Sequence, residues 1–328
     1  MDEGEPSRAS FEDLRTRPAR ASTMAAAAAF AILVCYALFN QPTEEDQIEP
    51  AAVASPRTPW SSRSANQSRR WAAYQASLVR DASAYQSGKS SRLVLMGDSI
   101  TEAWVGTGYG SPTPRAEGVP AVLNETLARH WPPTPLVLAI SGDQTQHVLW
   151  RIAQGEVSKA MARDPLLLIS LLIGTNNLGH GHAPEATGQG VLAVARRLLS
   201  LTRGRLLLNA VLPRGDRPDA KLCPPRCDRA GQPYTSFGPA LRKVNALVAG
   251  ALPSLQRDYP GRVGYVDCGA PFVNHLYGQA GSDMGDEEVN LELMPDRLHP
   301  NAQGQRLMAH CIGDALRKLD RRKVPAPT

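Results

Sequence analysis

Leu93-Val94-Leu95-Met96-Gly97-Asp98-Ser99-Ile100-Thr101 is a short apolar run that stops abruptly at a polar turn. Four consecutive apolar residues followed by a turn signal are typical of a buried strand that ends sharply. Parallel α/β sheets bind their ligands in the crevice outside the carboxyl ends of the strands. Ser99 is predicted to stand in that crevice, which makes it a candidate nucleophile.

Further polar blocks follow along the chain. Ile140-Ser141-Gly142-Asp143 and Ile173-Gly174-Thr175-Asn176-Asn177 also end apolar runs, and Asp296-Arg297-Leu298-His299-Pro300 lies near the carboxyl terminus. Taken alone, Ser99-Ile100-Thr101-Glu102 also fits S-x-x-E, the capping box that begins many helices without any chemistry. Together the blocks favour a nucleophile at Ser99 over a simple helix cap.

In these blocks the chain resembles the SGNH, or GDSL-type, hydrolases, whose sequences supply a serine, a glycine, an asparagine and an Asp-x-x-His pair. The longer stretches 142–151, 174–180 and 212–215 are similar to the catalytic subunits of the intracellular platelet-activating-factor acetylhydrolases. The resemblance covers about residues 66–319. It also implies a homodimer.

Apolar runs alternate with stretches of helical spacing, which predicts a parallel sheet with helices on both faces. Runs of strand length lie at 92–96, 136–140, 166–173, 206–212 and 263–267. The run 166–173 is apolar throughout, as expected of a central parallel strand. The resemblance implies the same α/β fold class, a three-layer α/β/α sandwich with a flavodoxin-like parallel five-stranded sheet.

The resemblance implies a catalytic triad of Ser99, Asp296 and His299. A serine hydroxyl is a weak nucleophile, and it needs an adjacent base that a third group orients. The resemblance also implies an oxyanion hole formed by the N–H groups of Ser99 and Gly142 and the side-chain amide of Asn176, because a tetrahedral oxyanion needs preorganised donors. A glycine at position 142 lets its N–H approach the reacting carbon without a Cβ in the way.

These residues predict a serine carboxylic-ester hydrolase that forms an acyl-enzyme on Ser99 and releases a short acyl group from a lipid or a glycan. The preference for acetyl comes from the resemblance alone. The alternatives are an O-acyltransferase that uses the same serine, and a catalytically silent member that binds a glycan or a protein. No cofactor is expected. No metal is expected either, because no carboxylate cluster accompanies His180 and His182.

The composition suits one globular domain with appendages. Of the 328 residues, 42% are hydrophobic and 20% are charged. The net charge is +5, but the basic residues are scattered, and the densest cluster, at 317–323, closes the last predicted helix. We interpret this cluster as a solvated tail, so no nucleic-acid partner is expected.

Residues 24–39 contain no charge, and arginines precede them while Glu44-Glu45-Asp46 follows them. This charge pattern predicts a membrane signal anchor with its amino terminus inside. A basic, polar tail at 1–23 precedes this anchor. The Pro- and Ser-rich residues 40–65 are interpreted as a flexible stem that connects the anchor to a hydrolase domain at 66–323. The expected protein is a single-pass type II membrane protein of the secretory pathway, in the Golgi by its short span, with a lumenal catalytic domain. Secretion after signal cleavage is the alternative.

A lumenal domain would allow disulfides and glycosylation. Four cysteines outside the apolar stretch allow three pairings, with a zinc site as the alternative. The favoured pairs are Cys223 with Cys227 and Cys268 with Cys311. Asn66 and Asn124 begin N-x-S/T sequons and are the candidate glycosylation sites.

Overall fold

Five parallel strands form the central sheet in the part of the chain that the structure describes. They are β1 (Leu93–Gly97), β2 (Leu136–Ala139), β3 (Leu168–Leu172), β4 (Arg205–Asn209) and β5 (Val263–Val266). Their spatial order is β2-β1-β3-β4-β5, and neighbouring strands run parallel. The predicted flavodoxin-like sheet is therefore confirmed. Its strand order reverses between β1 and β3, the switch point at which such sheets bind ligands.

The computed structural model describes residues 50–57, 62–216, 236–275 and 287–322, which belong to one unit, Ile48–Thr328. The α-helices are α1 (Ser62–Ser83), α2 (Ser99–Glu102), α3 (Val119–Glu125), α4 (Leu127–His130), α5 (Thr145–Arg151), α6 (Lys159–Arg163), α7 (Thr175–Gly179), α8 (Pro184–Leu201), α9 (Gly238–Gly250), α10 (Leu252–Asp258) and α11 (Ala302–Asp320). Short 3-10 turns lie at Ala103–Val105, Pro114–Ala116 and Ala270–Phe272. Antiparallel ribbons pair Thr107–Gly108 with Ser111–Pro112 and Val273–His275 with Glu287–Val289.

Helices cover both faces of the sheet. Strand side chains alternate between the two faces, and here both sets are apolar and need to be buried. In β1, Val94 and Met96 pack into a core formed with α1, α5, α6, α8, α9 and α10. Leu93 and Leu95 pack into the opposite core, formed with α3, α4 and α11. This arrangement confirms the predicted three-layer α/β/α sandwich.

The chain between β2 and β3 does not form one continuous helix, because a π-helical turn at Ile152–Glu156 separates α5 from α6. Gly155 has φ +103, a backbone conformation that residues with a side chain rarely adopt, and the regular helix ends there. The turn brings Oε2 of Glu156 to 2.6 Å from Nη1 of Arg151. Both side chains are fully buried, so the break places an ion pair inside the protein.

Residues 50–57 pack on the domain, although they fall within the range predicted as a stem. Ala51 is buried, and its carbonyl oxygen accepts a hydrogen bond of 2.6 Å from Oγ1 of Thr145 at the start of α5. The N–H of Ser55 donates to the carbonyl oxygen of Gln146 over 3.2 Å. We call residues 50–57 the N-terminal strap.

The membrane anchor predicted over residues 24–39 has to be corrected. Among the residues that the structure describes, no helix combines the length and the apolar character that a membrane span needs. Residues 24–39 themselves lie outside the described residues. As a helix they would rise about 24 Å, less than the ~30 Å of a hydrocarbon core. The predictions that depended on this segment are overturned with it: the type II topology, the lumenal and Golgi placement, the secreted alternative and the membrane partner.

Of the two predicted cysteine pairs, the described residues contain one. Cys268 and Cys311 form a disulfide that joins the segment after β5 to α11. Cys223 and Cys227 lie outside the described residues. The sequon asparagines are both exposed, and both lie on helices, Asn66 on α1 and Asn124 on α3. Their glycosylation was predicted from the lumenal placement, which the absence of a membrane-spanning helix among the described residues overturns.

Candidate active site

The strands at the switch point end side by side. Gly97 at the end of β1 is in register with the last residues of its two neighbours, Ala139 of β2 and Leu172 of β3. The polar blocks that follow these strands therefore emerge at one edge of the sheet. The packing there is close, because a Cβ added at Gly97 would lie 2.3 Å from the carbonyl oxygen of Leu172 and 2.5 Å from Oγ1 of Thr101.

Ser99 is the first residue of α2, and Asp98 rather than Ser99 caps that helix. Oδ1 of Asp98 accepts a hydrogen bond of 3.0 Å from the N–H of Ile100. Ser99 thus keeps its hydroxyl for another partner, although it is only 3% exposed. Gln305 on α11 donates its side-chain amide to the carbonyl oxygen of Ile100 over 3.0 Å, which joins α2 to α11.

Ser99, His299 and Asp296 form one hydrogen-bonded chain. Oγ of Ser99 lies 2.8 Å from Nε2 of His299, and Nδ1 of His299 lies 2.6 Å from Oδ2 of Asp296. An ionised carboxylate can only accept hydrogen bonds, so the network assigns the imidazole proton to Nδ1. Nε2 is then left to accept the proton of the serine hydroxyl.

Asp296 is ionised at neutral pH. Burial acts to raise its pKa, but the hydrogen bond and charge of His299 and two backbone N–H groups outweigh burial and lower the pKa of Asp296 to about 2. Those N–H groups belong to Leu298 and His299, and they donate to Oδ1 over 3.1 and 2.7 Å. Arg297, which lies between Asp296 and Leu298, adopts φ +61. One tight loop therefore holds both Asp296 and His299.

Gly142 and Asn176 are connected through Asp143. Nδ2 of Asn176 donates to the carbonyl oxygen of Asp143 over 2.9 Å, which orients the amide and leaves its second N–H for a ligand. The N–H of Asp143 donates to the carbonyl oxygen of Ile140 over 3.1 Å and closes a β-turn. Gly142 stands third in this turn with φ +79, as a type II turn requires.

Ser141, the residue before Gly142, is held by charged side chains at each of its polar atoms. Its N–H and its hydroxyl donate to Oε2 of Glu102 over 2.7 and 2.5 Å. Nη2 of Arg115 donates to its Oγ over 2.6 Å. Nη1 of Arg57, on the N-terminal strap, donates to its carbonyl oxygen over 3.0 Å. These roles were not predicted, because S-x-x-E indicated a capping role for Glu102 and the composition of the strap indicated a stem.

A buried ion-pair network lies behind the Gly142 turn. Nε of Arg151 is 2.7 Å from Oδ2 of Asp143, and its Nη1 contacts Glu156. Nη2 of the same arginine donates to the carbonyl oxygen of Gly97 over 3.1 Å. Trp71 on α1 donates its indole N–H to Oδ1 of Asp143 over 2.6 Å. Arg151 therefore connects the end of the nucleophile strand to the turn that carries Gly142.

Asn177, which follows the candidate oxyanion donor, contacts α5. Its Oδ1 accepts the N–H of Thr145 over 3.0 Å, and its Nδ2 donates to the side-chain oxygens of Thr145 and Gln146, both over 3.1 Å.

Nδ1 of His180 lies 2.8 Å from the carbonyl oxygen of Asn176, and burial lowers the pKa of His180. Within the described ranges, His, Cys, Asp and Glu side chains do not form a group of three that could hold a metal.

The chain is similar to known proteins in both sequence and fold. Residues 95–307 match the family described as GDSL-like Lipase/Acylhydrolase. Platelet-activating factor acetylhydrolase IB subunit alpha1 of Homo sapiens is 34% identical over 185 residues, 56% of this chain and 64% of that protein. Subunit alpha2 of Gallus gallus is 30% identical over 161 residues, 49% of this chain and 54% of that protein. The chain thus matches less than two thirds of the length of these relatives.

A solved structure described as a platelet activating factor from Streptococcus pneumonia superimposes on this chain with a TM-score of 0.50. The superposition covers 78% of this chain and 100% of the other, and the two sequences are 19% identical. Similarity at that level of identity shows a shared fold. The homodimer implied by the sequence resemblance finds no support in these comparisons.

Proposed function

The chain belongs to the GDSL-like lipase/acylhydrolase family, whose members hydrolyse esters, and we propose that it is a serine carboxylic-ester hydrolase that removes acetyl groups from a lipid or a glycan. The hydrogen-bonded chain from Ser99 through His299 to Asp296 carries this proposal. Nucleophilic ester cleavage needs a serine hydroxyl hydrogen-bonded to a base, and an ionised carboxylate that orients this base.

In the proposed mechanism, Oγ of Ser99 attacks the ester carbonyl carbon while its proton moves to Nε2 of His299. The N–H groups of Ser99 and Gly142 and the free N–H of the Asn176 amide stabilise the resulting oxyanion. When the intermediate collapses, the C–O bond to the alcohol breaks and His299 protonates the leaving oxygen. A water molecule then attacks the acyl-enzyme, with its proton passing to His299, and the carboxylic acid leaves as Ser99 regains its proton.

The acetyl preference is supported by the names of the relatives, which are acetylhydrolase subunits, at 34% identity for the human alpha1 protein. Because the chain matches 64% of that protein's length, the preference does not follow from the match.

The test is the rate at which the full chain hydrolyses p-nitrophenyl esters from acetate to octanoate. We expect fast turnover of acetate and a steep fall by butyrate, because a pocket for acetyl excludes longer chains. Rates that rise toward octanoate would contradict the acetyl preference. The proposal of a serine hydrolase would be contradicted if the wild type hydrolysed none of these esters and did not react with a fluorophosphonate.

Ser99→Ala is the matched variant, since it removes only Oγ of the nucleophile. Its turnover should fall by up to about a million-fold, as in other triads that lose their serine. Retention of more than a few per cent of wild-type activity by Ser99→Ala would show that another residue is the nucleophile. Incubation of the wild type with acetyl ester and a sugar acceptor separates hydrolysis, which yields acetate, from acyl transfer.

A further inference from the structure

We propose that Arg57 is a positioning residue of the active site, which acts by holding the peptide group between Ser141 and Gly142 in one orientation. The inference rests on the proposed function, because the N–H of this peptide is the proposed oxyanion donor of Gly142. Nη1 of Arg57 donates to its carbonyl oxygen, that of Ser141, over 3.0 Å. The hydrogen bond therefore acts on the same rigid group that carries the donor.

A trans peptide is planar, and its C=O and N–H point in opposite directions. A guanidinium that holds the carbonyl oxygen on one side thus aims the N–H to the other side. A charged donor on the oxygen also polarises the peptide and makes its N–H a stronger hydrogen-bond donor. Arg57 can strengthen the oxyanion donor in this way without touching the substrate.

The turn makes such control necessary. The central peptide of a type II turn is flipped relative to that of a type I turn. Here the central peptide is the one between Ser141 and Gly142, because the N–H of Asp143 bonds to the carbonyl oxygen of Ile140. A flip would point the N–H of Gly142 away from its present direction. Glycine tolerates both turn types, so the residue itself does not select the orientation.

Arg57 is held in place by its surroundings. Its guanidinium stacks over the ring of Tyr109, 5.3 Å from the ring centroid. A Cβ added at Gly142 would lie 2.8 Å from Nη1 of Arg57 and 3.0 Å from the hydroxyl of Tyr109, so both groups lie close to the glycine. The N-terminal strap brings the arginine there through its hydrogen bonds to Thr145 and Gln146.

The test compares Arg57→Ala with Arg70→Ala in the full chain. Arg70 is the matched control, because its guanidinium lies over the same Tyr109 ring at 5.8 Å but donates to Oγ of Ser111. With p-nitrophenyl acetate, Arg57→Ala should lower kcat at least about tenfold, part of the ~100- to 1000-fold effect of a whole oxyanion donor, with KM changed less than about twofold. Arg70→Ala should keep kcat within about twofold of the wild type.

Arg57→Lys should recover part of the lost kcat, since an ammonium can also donate to the carbonyl oxygen. It also serves if Arg57→Ala fails to fold. A second measurement is the amide resonance of Gly142 in protein labelled with 15N-glycine, which should move in Arg57→Ala and stay in Arg70→Ala. Equal kcat in the wild type and Arg57→Ala, or equal losses in both alanine variants, would overturn the inference.

The two proposals fail in different ways. If the wild type hydrolyses acetyl esters and Ser99→Ala does not, the proposed function stands while the Arg57 variants test the inference alone. If the wild type lacks esterase activity, the proposed function fails. The Gly142 resonance then still reports whether Arg57 orients this peptide, and an unmoved resonance would refute it.

Discussion

Arg151, a fully buried residue at the end of α5, donates a hydrogen bond to the carbonyl oxygen of Gly97, two residues before the candidate nucleophile. The same guanidinium contacts the carboxylates of Asp143 and Glu156. If one member of a buried ion-pair network is removed, the remaining buried charges are left uncompensated. The loss in the free energy of unfolding is then larger than the net stabilisation that the ion pair gave. Arg151 should therefore matter more for stability than any exposed arginine.

We expect Arg151→Met to lower the free energy of unfolding by about 3–5 kcal/mol, because Asp143 and Glu156 lose their buried cation. Chemical denaturation measures this change. Arg306→Ala is the control, since Arg306 forms an ion pair with Glu125 at the same 2.6 Å but on the surface. Its loss should be at most about 1 kcal/mol. Similar losses in the two variants would contradict the role of Arg151.

The neighbours Asn176 and Asn177 should separate catalysis from stability. Asn176→Ala should lower kcat about 100- to 1000-fold, because an oxyanion donor is lost. Asn177→Ala should lower the free energy of unfolding by about 1–3 kcal/mol. The Asn177 side chain is buried, and its removal leaves its hydrogen-bond partners on α5 unpaired. Steady-state kinetics and denaturation of both variants check the pair. The prediction is wrong if Asn177→Ala loses more activity than Asn176→Ala.

Asp296→Asn should lower kcat by up to about ten-thousand-fold. A carboxamide can donate its N–H to Nδ1 of His299, which moves the imidazole proton to Nε2 and removes the base. The measurement is kcat with p-nitrophenyl acetate at neutral pH. Asp314→Asn, an exposed position on α11, controls for the loss of one negative charge. A loss of less than tenfold in Asp296→Asn would show that the carboxylate does not set the tautomer.

Asp98 should make stability depend on pH. Burial raises the pKa of Asp98 to about 7, against the lowering effect of the Ile100 N–H and with the Asp143 charge adding to the rise. The folded protein then binds more protons than the unfolded chain between about pH 4 and pH 7. Its free energy of unfolding should fall as pH rises through this window, by up to about 4 kcal/mol from this group.

Asp98→Asn tests this dependence, because asparagine can still accept the N–H of Ile100 but does not ionise. Denaturation at several pH values should show a weaker decline for Asp98→Asn than for the wild type between pH 4 and pH 7. Parallel profiles would mean that Asp98 does not hold a proton in the folded state.

The sequence was most informative where chemistry and local pattern coincide. The apolar run at 93–96 predicted β1 because a fully buried parallel strand leaves a continuous apolar signal. The contact between Asp296 and His299 was predictable as well, since the two residues lie three positions apart and need no other element to meet. The structure brings these residues together with Ser99.

Contacts that depend on distant residues were not predictable. Gly155 gave no sign that it would break a helix, because an isolated glycine is often tolerated in one. Oε2 of Glu102 accepts hydrogen bonds from Ser141, which follows the end of a different strand, β2. Arg57 lies in a stretch whose composition favours a stem, and its contact with Ser141 spans 84 residues. Such contacts follow from the folded topology and leave no local pattern.

The hydrogen bond between Gln305 and Ile100 has a consequence for when the protein becomes active during synthesis. It joins residues 205 positions apart, and the serine and histidine next to it are 200 positions apart. The ribosome therefore releases Ser99 long before His299. Until α11 has emerged and docked, a nascent chain that already contains the whole sheet lacks the contact between Ser99 and His299. In the proposed mechanism, ester cleavage therefore has to wait until α11 has been synthesised and has docked.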